Sequence, residues 1–255
     1  MPTIDRSDGR PYYRQIADDL RRRIIQGQYG PGDQLPSERV LTEDYETSRL
    51  TVRQAIGLLR TEGLLLAEHG RGLFVRAAVP VQRLARTRLD RAQRQAGAGA
   101  FQTDAQRAGF QPSVDVDVYS ATADARIAEL LQVSTGSRLI VRERLMMADK
   151  VPVQLSTSWL PAELAAGTRI ELRDTGPGGI YARLEEKGHL LARFTESVRA
   201  RMPSQDEASA LRLAVGTPVL AVTRTAFDQH GRPVETNDMV LAADRYELTY
   251  EFSAD

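Results

Sequence analysis

Apolar residues recur three and four positions apart at Tyr13, Ile16, Ala17, Leu20 and Ile24, with Asp18, Asp19, Arg21, Arg22 and Arg23 between them. This spacing predicts a helix with one buried face. Pro11 suits its first turn, where a missing N–H costs nothing, and Gly27 marks its end. "GPGD" at 30–33 is a turn. "PSERVLTEDY" predicts a short second helix capped by Ser37, with Val40, Leu41 and Tyr45 inward. After a turn at Glu46 and Thr47, Ser48 caps a third helix running to about Glu62. Its buried face is Val52, Ala55, Ile56 and Leu59, and Gly63 closes it. "LLLAEH" and "GLFVRA" follow, separated by "GRG", and predict a hairpin. Helix, helix, short turn, helix and hairpin make a winged helix-turn-helix.

Residues 81–100 break the pattern: Arg83, Arg86, Arg88, Arg91 and Arg94 face the single acid Asp90, and "AGAGA" follows. The expected organisation is a DNA-binding domain over 10–78, a basic flexible linker over 79–100 and a second domain over 101–255. The second domain holds a faint internal repeat, 130–160 over 211–241. It aligns Gly136 with Gly216, Arg144 with Arg224, Pro152 with Pro233 and Gln154 with Glu235. Each copy reads as a helix end followed by an antiparallel hairpin. With strands at 114–120, 190–201 and 247–252 and helices at 123–132, 179–188 and 204–213, the expected domain is an antiparallel sheet with helices packed on it, an α+β fold.

Charge sharpens this division. Residues 1–100 hold 17 Arg, no Lys and 12 acids, a net of +5, while residues 101–255 carry −5. A basic half and an acidic half suggest two tasks, the first facing a polyanion. The start of the third helix fits that task. Arg49 and Arg53 sit where the helix dipole disfavours cations, at a cost of a few tenths of a kcal/mol. A bidentate arginine–guanine contact supplies about 1–3 kcal/mol of discrimination, which outweighs that cost.

The chain has no cysteine, which excludes disulfides, thiolate zinc sites and a cysteine nucleophile. No stretch approaches the roughly 20 apolar residues of a membrane span, and a cytoplasmic location without membrane contact is the expectation. In the second domain the histidines, His189 and His230, stand apart beside glycines. No nucleophile, base and orienting acid come together, and no metal site stands out. The expected catalytic, metal and cofactor sets are therefore empty. Arg142 and Arg144, two apart on a predicted strand, put two guanidiniums on one face. Either an anionic ligand lies between them, or they pair with acids of a neighbouring strand such as Glu196.

The stretch "LPSERVLTEDYETSRLTVRQAIGLLRTEGLLLAEHGRGLFV" (35–75) resembles the winged helix-turn-helix of GntR-type bacterial transcription regulators. The motifs are Pro-Ser-Glu-Arg, Ser-Arg-x-Thr-Val-Arg, Glu-Gly and Gly-x-Gly-x-Phe-Val. The remainder is similar to the ligand-sensing UTRA domain of the HutC subfamily, which has a chorismate-lyase-like fold. That likeness rests on "RER" (142–144), "WLP" (159–161), "GGIYARLEEKG" (178–188), "VGTPVL" (215–220), "RPVE" (232–235) and "DRY" (244–246).

The resemblance implies a ligand-responsive repressor: a homodimer on a double-stranded inverted-repeat operator, altered by a small anionic metabolite. Carried over by position, Arg39, Ser48, Arg49, Thr51 and Arg53 would meet the major groove and phosphates. His69, Gly70 and Arg71 form the wing tip, with His69 and Gly70 reaching the minor groove. Arg142 and Arg144 would bind the effector's anionic group, Glu235 an acidic-contact position, and Ser156 and Ser158 would add polar contacts. Leu241 stands where amino-sugar-phosphate sensors carry a closing tyrosine, and Gln154 where glutamate is common, which points away from that ligand. Two alternatives carry different tests: a chorismate-lyase-like enzyme tethered to DNA, and a second domain that only dimerises.

Overall fold

A computed structural model of the chain describes residues 9–68, 71–76, 81–84 and 99–251. It divides into two compact units, Met1–Ala78 with Leu213–Thr217, and Val79–Arg212 with Pro218–Asp255.

The first unit contains α1 (Tyr12–Ile25), α2 (Glu38–Asp44), α3 (Arg49–Thr61), β1 (Leu65–Glu68) and β2 (Gly72–Val75). The apolar stripes meet in one core. Ile16, Ala17 and Leu20 of α1 pack with Leu41 and Tyr45, with Val52, Ala55, Ile56 and Leu59 of α3, and with Leu65 and Val75 of the hairpin. Ser37 and Ser48 cap α2 and α3, accepting from the N–H groups of Val40 and Thr51. The wing pairs Leu65 with Val75 through to Glu68 with Gly72. Gly72 suits this position because its φ of +119° is a backbone conformation that L side chains rarely adopt; a Cβ there would also displace Nε2 of Gln34, which donates to the Arg71 carbonyl.

The second unit is built on a six-stranded antiparallel sheet. Its strands are β4 (Pro112–Thr122), β5 (Arg138–Ala148), β6 (Val151–Pro161), β7 (Leu191–Arg201), β8 (Val219–Asp228) and β9 (Pro233–Ala242), in the order β4-β5-β6-β9-β8-β7. The helices are α4 (Ala100–Ala108), α5 (Ala125–Leu131), α6 (Ala162–Ala165), α7 (Gly179–Glu186) and α8 (Gln205–Ala210). The internal repeat is longer than its hairpins: helix, strand, helix, hairpin occurs as α4-β4-α5-β5-β6 and again as α7-β7-α8-β8-β9. Both hairpins bulge at the same place, between Met146 and Met147 and between Ala226 and Phe227. Arg144 faces Ser156 across the first hairpin, as Arg224 faces Asn237 across the second. The wHTH-plus-antiparallel-α+β class expected from the sequence is the one observed.

The linker differs from expectation. Val81–Leu84, placed by its basic composition in a flexible segment, is a strand, β3, paired in parallel with β10 (Tyr246–Thr249). The reason is apolar: Val81 is fully buried with Phe101, Phe110, Met146, Leu241 and Tyr246. Ala100, the last linker residue by sequence, already belongs to α4. Residues 85–98 lie outside the described residues.

Asp124 caps α5, accepting from the Ile127 N–H at 2.7 Å. Asp124→Ala is expected to cost about 1 kcal/mol, or roughly 2–4 °C in melting temperature for a chain of this size. An unchanged melt would show that the cap contributes nothing.

Candidate nucleic-acid interface and ligand pocket

The start of α3 gathers four of the expected DNA contacts. Ser48 Oγ lies 2.8 Å from Thr51 Oγ1 while capping the helix. Arg49 and Arg53, four apart, share a face. Their side chains are 67% and 60% exposed, so their heads reach solvent. Both Nε atoms approach one oxygen of Glu38, at 3.4 and 2.9 Å. An exposed pair of this kind is worth at most about 1 kcal/mol, so Glu38 orients the two guanidiniums without committing them. Arg39, on α2, is exposed and pairs with Glu43 at 2.6 Å. Arg71 sits 5.4 Å from the Phe74 ring. His69 and Gly70 lie outside the described residues.

In the second unit a cavity of about 400 Å³ opens over the middle of one sheet face. Its floor comes from alternate residues of neighbouring strands: Arg142, Arg144 and Met146 on β5, Gln154 and Ser156 on β6, Asn237 and Met239 on β9, and Arg224 on β8. The first turns of α4 and α7 form walls, with Tyr181 of α7 facing in. Four arginines and two acids line it, so the cavity carries net positive charge.

A buried network organises that charge. Glu235, 1% exposed, accepts from Ser158 Oγ at 2.5 Å on one oxygen and from Tyr181 Oη at 2.5 Å on the other. Arg144 donates to Ser156 Oγ at 3.0 Å and to Ser158 Oγ. Ser156 in turn donates to Asn237 Oδ1 at 2.9 Å. Arg224, 5% exposed, lies over the Tyr181 and Phe194 rings and 3.8 Å from Glu196. Burial opposes its charge, but Tyr181, Glu235 and Glu196 outweigh burial and hold the guanidinium above its ordinary range. Burial pushes the Tyr181 phenol up, so it stays a donor. Nε of Arg144 and Nε of Arg224 are buried without a hydrogen-bond acceptor among the described residues, and Nη1 of Arg224 is the atom that lies 3.8 Å from Glu196.

Comparison with known families places both units. Residues 12–75 match the bacterial regulatory proteins of the gntR family, and residues 107–247, more than half of the chain, match the UTRA domain. The chain belongs to the GntR family, with a UTRA domain. This GntR-family regulator is 35% identical to an HTH-type transcriptional regulator of Streptomyces coelicolor, covering 95% of this chain and 93% of that one. It is 29% identical to the transcriptional repressor NagR of Bacillus subtilis, covering 97% of both chains. The crystal structure of PhnF from Mycobacterium smegmatis aligns with a TM-score of 0.61 at 26% identity, covering 94% of this chain and all of that one. These relatives carry the names of transcriptional regulators, not of enzymes. The helix-turn-helix implies DNA binding and the UTRA domain implies a small-molecule effector. Among the described residues no helix is long and apolar enough to cross a membrane.

The pocket of the GntR-family regulator reorders the expected effector residues. Arg142 and Arg144 do not act as a matched pair. Nη1 of Arg142 donates to the carbonyls of Ile170 at 2.6 Å and of Leu172, and Nη2 to that of Arg173 at 2.8 Å. Arg142 is 2% exposed, and burial first, then Arg144, lowers its pKa to about 10. It clamps the 170–173 segment that flanks the cavity. Ser158 is fully buried between Arg144 and Glu235 and is not among the lining residues. Ser156 and Glu235 do line the cavity. The anticipated acid Glu196 lies beside Arg224 instead of Arg142 or Arg144. Arg224, Tyr181, Gln154 and Asn237 were not anticipated as site residues. The repeat carried a signal for Arg224, because it aligns with Arg144. Tyr181 had none, since helical spacing makes it a core residue.

Proposed function

We propose that this regulator is a cytoplasmic repressor. It binds an inverted-repeat operator as a homodimer and is released when a small anion fills the UTRA cavity. One observation carries the ligand half of this reading: Arg144 and Arg224 converge on one cavity whose lining holds four arginines against two acids. An anionic oxygen there balances the surplus charge and takes charge-assisted bonds from the guanidiniums. The walls add to this, because the positive starts of α4 and α7 border the same space.

In the DNA half, Ser48, Arg49, Thr51 and Arg53 enter the major groove, Arg39 meets phosphate, and the wing of His69, Gly70 and Arg71 reaches the minor groove. Glu38 presents Arg49 and Arg53 together, and a DNA phosphate or base edge takes its place on binding. Arg144 and Arg224 hold the anion, Ser156 adds a hydroxyl contact, Glu235 orients the cationic groups and can accept from a ligand hydroxyl, and Arg142 and Ser158 support them. A domain that only dimerises is disfavoured, because it would have no use for buried cationic donors around a cavity.

The reading is tested by fluorescence anisotropy with DNA from the region upstream of the protein's own gene, at two salt concentrations. Binding that outcompetes random DNA and weakens with salt is expected. Affinity equal to that for random DNA would remove the operator assignment. In the same assay Arg144→Ala is expected to bind DNA normally and to need about 10- to 150-fold more effector for release. That range corresponds to a charged hydrogen bond of roughly 1.5–3 kcal/mol. Normal release would remove Arg144 from the pocket.

A further inference from the structure

The two halves of the repeat furnish the cavity unequally, and the inequality describes the ligand. In the second half Glu196 of β7 lies across from Arg224 of β8. The equivalent position in the first half is Val116 of β4, across from Arg144 of β5. Gln154 replaces Glu235 in the same comparison. The second half is thus acidic and hydrogen-bonded, while the first half has lost both carboxylates.

Strand β4 makes the difference plain. "VDVDV" at 114–118 alternates so that the valines share one face and the aspartates the other. The valine face looks toward the cavity, where Val114 and Val116 are lining residues, and Val114 is left 40% exposed. Next to Val114 comes Met146, paired with it across β4 and β5. Met239 and Phe101 complete an apolar end. The α4 start that borders this end reads Gly99-Ala100-Phe101, without a hydroxyl, and Leu241 packs in the core beneath it.

We infer that the effector is an amphipathic acid, with one anionic head between Arg144 and Arg224 and an apolar body along Val114, Val116, Met146 and Met239. A sugar phosphate fits less well, because hydroxyls set along Val114, Val116, Met146 and Met239 would lack partners there, Gln102, Ser113 and Gln154 being the polar side chains beside them in the lining. An apolar body covers the exposed valine face and gains from its removal from water. The inference rests on the anion-binding reading above and narrows it to a chemical class.

The test is isothermal titration calorimetry of the full-length protein with six probes: hexanoate, octanoate, phenylacetate, 3-phenylpropionate, glucosamine 6-phosphate and inorganic phosphate. At least one of the four amphipathic acids is expected to bind tenfold more tightly than either polar anion. Val114→Asn, which adds polarity without charge, is expected to weaken that acid at least tenfold and inorganic phosphate by a smaller factor. Val116→Thr, which keeps the shape and adds one hydroxyl, guards against misfolding and is expected to act in the same direction. Asp115→Asn, on the opposite face of β4, should change nothing. An advantage under tenfold, or a preference for glucosamine 6-phosphate, overturns the amphipathic class and leaves the anion pocket standing. Binding of none of the six overturns the anion pocket and this inference together.

Discussion

Arg53→Ala is expected to lower affinity for the operator by about 5- to 150-fold per half-site, the range of a lost bidentate base contact. In the homodimer proposed above two such contacts are lost, and the factors multiply. Folding should be untouched: the Arg53 side chain is 60% exposed, and its protein partner is the surface acid Glu38. The melting temperature is the control. Operator and scrambled DNA measured side by side distinguish base reading from phosphate contact. A base reader loses affinity on the operator and keeps it on scrambled DNA. A phosphate contact loses it on both and reduces the salt dependence. Unchanged affinity on the operator would end the assignment of α3 as the reading helix.

The largest effect on stability is expected at Glu235. Its carboxylate is buried, takes hydrogen bonds from Ser158 and Tyr181, and neighbours Arg144 and Arg224. Glu235→Ala leaves buried cations without their counter-charge and a buried tyrosine hydroxyl without its acceptor. Breaking a buried pair this way costs about 3–5 kcal/mol, or roughly 6–20 °C of melting temperature. Glu235→Gln keeps an acceptor and removes the charge, so it should fall between the variant and the parent. A melt of Glu235→Ala within 2 °C of the parent, on the order of 1 kcal/mol or less, would mean that solvent already compensates these arginines. The same variant should hold inorganic phosphate more tightly, since the anion then supplies the missing charge.

Local pattern made the first unit legible. Its three helices follow the apolar spacing, and Ser37 and Ser48 cap where hydroxyl chemistry placed them. The sheet was legible as well, because the hairpins repeat with matching glycine, arginine and proline positions. What escaped depends on contacts between distant segments. The spacing of Arg142 and Arg144 gives them one face, but not the carbonyls of Ile170, Leu172 and Arg173 that take up Arg142. The helix at Ala100–Ala108 follows a glycine-alanine run whose composition reads as linker, and burial of Phe101 and Ala105 decides it. The strand at Val81 is decided the same way, by a partner strand some 165 residues downstream, from Val81 to Tyr246.

That strand has a consequence inside the second unit. β3, where the chain enters the unit, pairs with β10 from Val81 opposite Tyr246. The Tyr246 hydroxyl donates to Gln154 Oε1 at 3.2 Å, and Gln154 lines the cavity. The entry point of the chain thus stands two links from the cavity floor: a strand pair, then one buried hydrogen bond.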